Sequence, residues 1–209
     1  MQDVNIVFLI IILLMSVVLH EVAHGYVALY FGDRTAYYAG RLSLNPIKHL
    51  DWFSSILLPA ILILTSFPFP FAAAKPVPVN LNNVRSGRWP RIAIALAGIA
   101  TNAILAIVFT CIARLSVGFV DQFATSLMLL VVYVNLSLTV FNLFPIPPLD
   151  GSRVLVALLP PRFYTVERFL DSYGFVILIV VMFGVNFFGI DIIGYPVRYI
   201  FTLLTGLTI

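Results

Sequence analysis

Two histidines, His20 and His24, stand four residues apart in the chain, and Glu21 directly follows the first of them. On a helix this spacing places both imidazole rings on one face. Two imidazole nitrogens can hold a metal ion, and a nearby carboxylate can act as the base that a metal-activated water needs. The pattern therefore predicts a zinc site with His20 and His24 as ligands.

The apolar setting of these three side chains strengthens that interpretation. Apart from them, residues 4–31 carry no ionisable side chain except Tyr26 and Tyr30. Burying a glutamate and two histidines in hydrocarbon costs several kcal/mol unless they are paired or bind a metal. The bare HExxH pattern also arises by chance in soluble proteins, but inside a membrane segment a metal site is the favoured explanation.

The composition excludes an ordinary soluble domain. The chain is 61% hydrophobic and 10% charged, with a mean hydropathy of +1.06, whereas soluble domains are about 25% charged. We expect an all-α polytopic membrane protein with five to six transmembrane or re-entrant segments of about 20 residues. Residues 1–209 then form a single integral membrane domain, with a core at 4–155 and additional C-terminal membrane segments at 172–209. The single cysteine, Cys111, excludes a Cys-based metal site.

The apolar stretches give the expected membrane segments: residues 4–31, 52–67, 92–113, 123–144, 175–188 and 195–209. The second stretch, about 16 residues or 24 Å as a helix, is shorter than the hydrocarbon core of about 30 Å. Alternating prolines at residues 75–80 predict a short extended or β segment at an edge, since proline cannot donate to an interior ladder.

The basic residues orient the chain. If residues 52–67 dip into the membrane and return, ten of the twelve Lys and Arg fall on one side, which the positive-inside rule makes cytoplasmic. Only Arg114 and Arg198 then lie outside. This re-entrant path is favoured over a full crossing, and it brings the ends of the first and fourth segments to the cytoplasmic side. Because the basic residues lie in these loops, no nucleic-acid partner is expected.

A third metal ligand must come from elsewhere, because two histidines and a water leave one tetrahedral position open. Asp150 directly follows an apolar span and three prolines, and Gly151 comes next. A ligand and a plain Asp-Gly turn at the membrane surface are both compatible with that position. His49 lies in a polar stretch, where a solvated side chain is the favoured interpretation over a zinc ligand.

Two motifs together resemble those of the site-2 protease family, the intramembrane zinc metalloproteases: HEVAH at residues 20–24 and NLFPIPPLDG at residues 142–151. The stretches GRLSLNP at 40–46 and KPVPVN at 75–80 are similar to compact members of the family, which lack a PDZ or CBS domain. The resemblance covers roughly residues 15–155.

The resemblance implies one zinc ion per chain, with His20, His24 and Asp150 as ligands and Glu21 as general base and acid. It implies hydrolysis of peptide bonds in or near the transmembrane segments of membrane-protein substrates, within the lipid bilayer of a prokaryotic plasma membrane. Asn142 matches a family asparagine near the site, and a role in holding substrate backbone or the developing oxyanion makes it a catalytic candidate. An unwound substrate could pair with residues 75–80 by β-augmentation.

One position departs from the family pattern. Its Ala-Gly-Pro motif, followed by a small residue and Asn, stands here as AGIATN at residues 97–102, with Ile99 in place of the proline. The change alters a local kink and leaves the metal ligands untouched. Asn102 matches a second family asparagine, and for Asn102 and Asn142 alike an interhelical hydrogen bond is the alternative role.

Two other functions fit parts of the sequence. A divalent-cation transporter would need further acidic or histidine side chains along a path across the membrane, and the apolar segments offer none beyond those already named. A catalytically inactive scaffold that binds transmembrane helices would not need a complete ligand set with an intact Glu21. Proteolysis is therefore the favoured function.

Overall fold

The computed structural model describes residues 6–50, 75–160 and 163–207. Within these ranges the chain forms seven α-helices and a 3-10 helix at Pro46–His49. The α-helices are α1 (Ile6–Tyr30), α2 (Thr35–Tyr38), α3 (Arg88–Leu115), α4 (Gln122–Asn142), α5 (Asp150–Leu158), α6 (Tyr164–Phe187) and α7 (Gly194–Thr205). No β-strand occurs in these ranges, and residues 75–80 lie outside any helix without forming a β-ladder. The all-helical class is thus confirmed in the described part of the chain.

Three helices are long and apolar enough to cross a membrane: α1 with 25 residues, α3 with 28 and α4 with 21. At 1.5 Å per residue they measure about 38, 42 and 32 Å, so each can span a hydrocarbon core of about 30 Å. A shorter apolar stretch, Ser172–Gly184, lies within α6. The expected segment at residues 52–67 lies outside the described residues. The chain is an integral membrane protein.

Helix α3 lies at the centre of the bundle and packs against α1, α4 and α5, while α7 packs against α4. One buried apolar cluster joins α3, α4 and α7, and it comprises Ala106, Val132, Leu136, Val140, Val197 and Phe201. A buried hydrogen bond from Asn135 Nδ2 to Ser16 Oγ, 3.0 Å long, links α4 to α1. Polar bonds of this kind hold helices together where the surrounding lipid gives no hydrophobic drive for association.

The end of α1 and the start of α3 lie side by side. The Arg85 N–H donates to the Phe31 carbonyl at 2.9 Å, just after α1 ends and just before α3 begins. The Lys75 N–H donates to the His49 carbonyl at 2.8 Å, so positions 49 and 75 also meet. Helices α1 and α3 are therefore antiparallel neighbours with their connection on one side of the bundle.

A proline-rich loop between α4 and α5 turns the chain back toward α1. Its end packs so closely that a Cβ added at Gly151 would collide with the carbonyl groups of Leu143 and Phe144. Gly151 lies in the first turn of α5, so its importance comes from this close approach rather than from an unusual turn conformation. Gly174 of α6 packs against Pro147 in the same way. These contacts fix the position at which α5 begins, and its first residue is Asp150.

Candidate metal centre

Three buried side chains from α1 and α5 converge on one point. Oδ2 of Asp150 lies 2.9 Å from Nε2 of His20 and 3.1 Å from Nε2 of His24. The two Nε2 atoms are 3.1 Å apart. His20 and His24 are 6% exposed and Asp150 is 7% exposed. The structure thus brings together three residues that the sequence analysis named, across 130 positions of the chain.

The donor set fits a zinc ion. A tetrahedral zinc site with ligand bonds of about 2.0–2.2 Å separates its ligand atoms by about 3.3–3.6 Å, a few tenths of an ångström more than the distances found here. A proton bridges only one pair of such atoms at a time, whereas a metal cation contacts all three. Two imidazole nitrogens and one carboxylate oxygen are also ligands that zinc accepts, with one position left over. Within the described ranges, this is the one cluster of three or more His, Cys, Asp or Glu suited to hold a metal.

The second nitrogen of each imidazole is held by α3. Nδ1 of His24 lies 2.6 Å from the Ile94 carbonyl oxygen, which only accepts, so Nδ1 carries the proton and Nε2 presents its lone pair. Nδ1 of His20 lies 3.1 Å from the side-chain amide of Asn102, a residue with no exposed surface.

The amide of Asn102 can fix the tautomer of His20. Its Oδ1 is buried and has no hydrogen-bond partner among the described residues. A 180° rotation of an asparagine amide exchanges the positions of its oxygen and nitrogen. With Oδ1 facing His20, the Nδ1–H group donates to it and Nε2 keeps its lone pair for a metal.

Gly98 gives the imidazoles the space they need. A Cβ added there would lie 2.5 Å from Nε2 of His20 and 2.5 Å from Nε2 of His24. The backbone of α3 therefore forms one wall of the cluster. The next residue, Ile99, is buried inside α3, which runs as one helix from residue 88 to 115 through the position where the family has a proline.

Glu21 is half-buried, and its Oε2 accepts a hydrogen bond from the Val77 N–H at 2.8 Å. Asn142 is also half-buried, and its Nδ2 donates to the Leu138 carbonyl of its own helix at 3.0 Å. Neither side chain belongs to the cluster of three ligand atoms.

His49 differs from its expected solvated state, because the side chain is completely buried. Its Nε2 lies 2.7 Å from the Ser43 carbonyl oxygen. The ring packs into the loop structure that follows α1, where Lys75 also meets the His49 carbonyl. The polar character of residues 34–50 suggested exposure, but this loop folds on itself and encloses the ring.

Asp33 is a structural residue that the sequence analysis did not single out. It is completely buried just after α1, where Oδ1 accepts from the Thr35 N–H at 3.0 Å and Oδ2 accepts from the Asn80 N–H at 2.7 Å. Burial raises the pKa of Asp33, but these bonds and that from Asn83 outweigh it and hold the pKa below its ordinary value. The residue joins the loop after α1 to the loop before α3. An aspartate that accepts a hydrogen bond from the N–H two residues later forms a common Asx turn, but its long-range partner Asn80 has no local signature.

A cleft of about 320 Å³ opens between α3 and α5 beside the cluster. Its walls include Ile94, whose carbonyl binds His24, and Ser152, two residues after Asp150. Arg91 and Arg153 lie at the same cleft. The three ligand side chains themselves do not line this cleft.

Comparison with known proteins decides the family. Residues 118–182, which include Asp150, match the model of Peptidase family M50. "Putative zinc metalloprotease YwhC" of Bacillus subtilis is 39% identical over 185 residues, covering 83% of this chain and 78% of the relative. The chain belongs to peptidase family M50. The resemblance to site-2 proteases noted from the two motifs is thereby confirmed.

A second relative comes from another bacterium. "Putative zinc metalloprotease Rip2" of Mycolicibacterium smegmatis is 31% identical over 179 residues, covering 84% of this chain and 67% of the relative. No solved structure matches this M50 chain significantly.

Proposed function

We propose that this M50 chain is an intramembrane zinc metalloprotease that hydrolyses peptide bonds in or near the transmembrane segments of membrane proteins. The observation that carries the proposal is the convergence of His20, His24 and Asp150 on one buried point. Two of these ligands come from α1, a helix long and apolar enough to span the bilayer. A zinc site at that place serves chemistry on chains within the membrane.

In this proposal His20, His24 and Asp150 hold one zinc ion per chain. A bound zinc supplies Lewis acidity, which acidifies a water and polarises a carbonyl. Glu21 is the general base that takes the proton from the attacking water and then returns it to the leaving amine. Asn142 holds the developing oxyanion or the substrate backbone.

The proposed topology has five to six membrane-embedded segments within a single domain, residues 1–209. The hydrogen bond between Lys75 and the His49 carbonyl supports the re-entrant alternative for residues 52–67. Positions 49 and 75 lie side by side in the fold, as the re-entrant alternative requires.

We place the site nearer the cytoplasmic face of a prokaryotic plasma membrane. His24 lies six residues before the end of α1, about 9 Å along the axis. In the proposed topology ten of the twelve basic residues fall on that side, which is the cytoplasmic signature. The ten are Arg34, Arg41, Lys48, Lys75, Arg85, Arg88, Arg91, Arg153, Arg162 and Arg168.

The first test measures zinc per chain in folded, detergent-purified protein prepared without chelator. We expect about one zinc in the wild type, and a loss of at least about 10-fold in His20→Ala and in Asp150→Ala. Asp191→Asn is the matched control, because Asp191 is exposed and its carboxylate binds Arg198 and the Gly194 N–H. Zinc lost in the histidine variant alone would remove Asp150 from the ligand set.

The second test measures cleavage. Wild type and Glu21→Gln are reconstituted in proteoliposomes with a panel of single-span reporter proteins, and products are identified by mass spectrometry. We expect cuts within or beside the apolar span in the wild type and about a 10²-fold or greater loss in Glu21→Gln at unchanged zinc content. Equal cleavage by both proteins would remove Glu21 from the reaction. Zinc binding with no cleavage of any reporter would favour the scaffold.

A further inference from the structure

The side chain of Glu21 is tied to a loop that lies far away in the sequence. Its Oε2 accepts a hydrogen bond from the Val77 N–H at 2.8 Å, across 56 positions. Hydrogen bonds from a backbone amide to a carboxylate are stronger than those between neutral groups. The second carboxylate oxygen, Oε1, takes no part in this hydrogen bond.

The sequence around Val77 leaves its N–H group without a neighbouring backbone donor. Pro76 and Pro78 flank it, and proline has no N–H group. Val77 is therefore the single backbone donor between positions 76 and 78, and it points at Glu21. A strand with consecutive donors could shift its register by two residues and still bind the carboxylate, whereas this segment cannot.

Both ends of the segment 75–80 are anchored. At its start the Lys75 N–H binds the His49 carbonyl, and Nη2 of Arg41 donates to the Lys75 carbonyl at 2.6 Å. At its end the Asn80 N–H donates to Asp33 at 2.7 Å. The Val77 donor is therefore restrained from two and three residues away, which limits its movement relative to α1.

Helix α1 is shaped to receive the segment. Gly25 lies four residues after Glu21 and thus on the same helical face. A Cβ added at Gly25 would lie 2.8 Å from Cγ1 of Val77 and 2.5 Å from Cδ2 of Leu42. The Val77 side chain is buried at this crossing, with 6% of its surface exposed. A side chain at position 25 would therefore push against the side chains of Val77 and Leu42 where the segment crosses α1.

We propose that Val77 is a positioning residue whose N–H group fixes the carboxylate of the general base Glu21. One oxygen is held by the segment and the other is left to accept a proton. This inference rests on the proposed function, because it assigns Glu21 the role of base. It adds that residues 75–80 serve the chain's own site.

The same geometry argues against substrate pairing at this segment. Pro76 and Pro78 have no N–H group to donate to a substrate strand, and the Val77 N–H is already bound to Glu21. A substrate strand beside residues 76–78 would therefore find no free backbone donor for β-augmentation.

The contact itself is tested by hydrogen exchange, without any need for activity. Between positions 76 and 79 only Val77 and Val79 have exchangeable amides. Of these two, the Val77 amide is the one that Glu21 binds, so a slowly exchanging amide that depends on Glu21 is assigned to Val77. We expect exchange about 10- to 100-fold faster in Glu21→Ala than in the wild type, as for the loss of a charged hydrogen bond. Glu21→Gln keeps an acceptor oxygen and should exchange more slowly than Glu21→Ala. Equal exchange in wild type and Glu21→Ala would overturn the contact.

The functional role is tested with Val77→Pro, which removes the donor, against Val79→Pro. None of the hydrogen bonds recorded within the described ranges involves the Val79 N–H, so the control introduces the same residue two positions away without removing such a bond. Both variants are assayed on a single-span reporter in proteoliposomes. We expect Val77→Pro to lower kcat about 10- to 100-fold. Its KM should stay within about 3-fold of the wild type, and its zinc content should not change. Val79→Pro should keep kcat within about 3-fold.

A second variant covers the case in which Val77→Pro fails to fold. Gly25→Ala displaces Val77 by contact and should lower kcat in the same sense, again with zinc retained. A rise in KM at unchanged kcat would instead assign the segment to substrate binding, and loss of zinc in folded Val77→Pro would make its role structural. Either result overturns the proposal. Absence of cleavage by the wild type would overturn the proposed function, and with it the positioning role of Val77. The hydrogen-exchange measurement would still establish or refute the contact between Val77 and Glu21.

Discussion

Gly98 of α3 lies directly against His20 of α1. A Cβ added at position 98 would be 2.5 Å from Nε2 of His20, the nitrogen that faces His24 and Asp150. Gly98 and His20 lie on two helices that pack against each other. Moving the two backbones apart at this point would disturb the packing of α1 on α3. The absence of a side chain at Gly98 is thus a condition for the two histidines to meet Asp150.

Gly98→Ala should therefore destroy the metal centre while leaving the fold. We expect zinc content to fall at least about 10-fold, because the new methyl group occupies the space of both Nε2 atoms. Gly184→Ala is the matched control, since nothing lies within 4 Å of a Cβ added at Gly184. Zinc analysis is paired with circular dichroism to verify helix content. Full zinc occupancy in folded Gly98→Ala would show that the imidazoles lie elsewhere.

Asn102→Ala should weaken zinc binding without removing a ligand. The variant loses the amide that orients Nδ1 of His20, and partners of metal-bound histidines contribute about 10- to 100-fold in affinity. The affinity is measured by competition with a chromophoric chelator. Asn135→Ala is the control, because Asn135 is equally buried but binds Ser16 instead of a metal ligand. Both variants should lose stability, and only the first should lose zinc affinity.

The sequence could predict the parts of the site that depend on local spacing. His20 and His24 share a face because residues four apart always do so on a helix. For Asp150 the sequence left two roles open, a metal ligand or a surface turn. Choosing between them requires the distance between α1 and α5, which depends on tertiary packing. The choice therefore came from the family resemblance and agrees with the geometry of the cluster.

The contacts around the ligands could not be predicted, because each depends on which backbone meets which side chain. Nothing near Gly98 in the sequence indicates that two imidazoles pack on it. The Ile94 carbonyl is part of a regular helix, and its bond to His24 follows from the packing of α3 on α1. The alternating prolines of residues 75–80 indicated an extended segment, but they did not indicate that the Val77 N–H has its partner on α1. The number of membrane segments also depends on residues 52–67, which lie outside the described ranges.

Asp33→Asn should destabilise the protein at neutral pH and less so in acid. An aspartate whose pKa is lower in the folded than in the unfolded chain contributes stability above its unfolded pKa of about 4. That contribution is lost as the pH falls through the folded pKa. We expect a deficit of about 1–3 kcal/mol at pH 7, because charged hydrogen bonds to Thr35 and Asn80 are weakened.

The deficit is measured as the difference in thermal midpoint between variant and wild type at pH 7 and at successively lower pH in one detergent. It should shrink below pH 4. Asp121→Asn is the control, because Asp121 caps α4 through its side chain and asparagine caps equally well. A deficit for Asp33→Asn that is constant across this pH range would show that the charge of Asp33 is not what joins the two loops.

Asn142→Ala should lower the rate of cleavage and leave zinc bound. In the structure its Nδ2 donates to the Leu138 carbonyl within α4, so a role toward substrate requires the amide to exchange that bond for one to the reacting carbonyl. Removing a donor to an oxyanion costs about 10²- to 10³-fold in kcat. We expect a loss within that range on a single-span reporter, with zinc content equal to the wild type. The back-bond to Leu138 alone is a local helix contact, and its loss would change kcat by less than about 3-fold. A small effect on kcat would therefore assign Asn142 to the structure of the end of α4, and the oxyanion would need another donor.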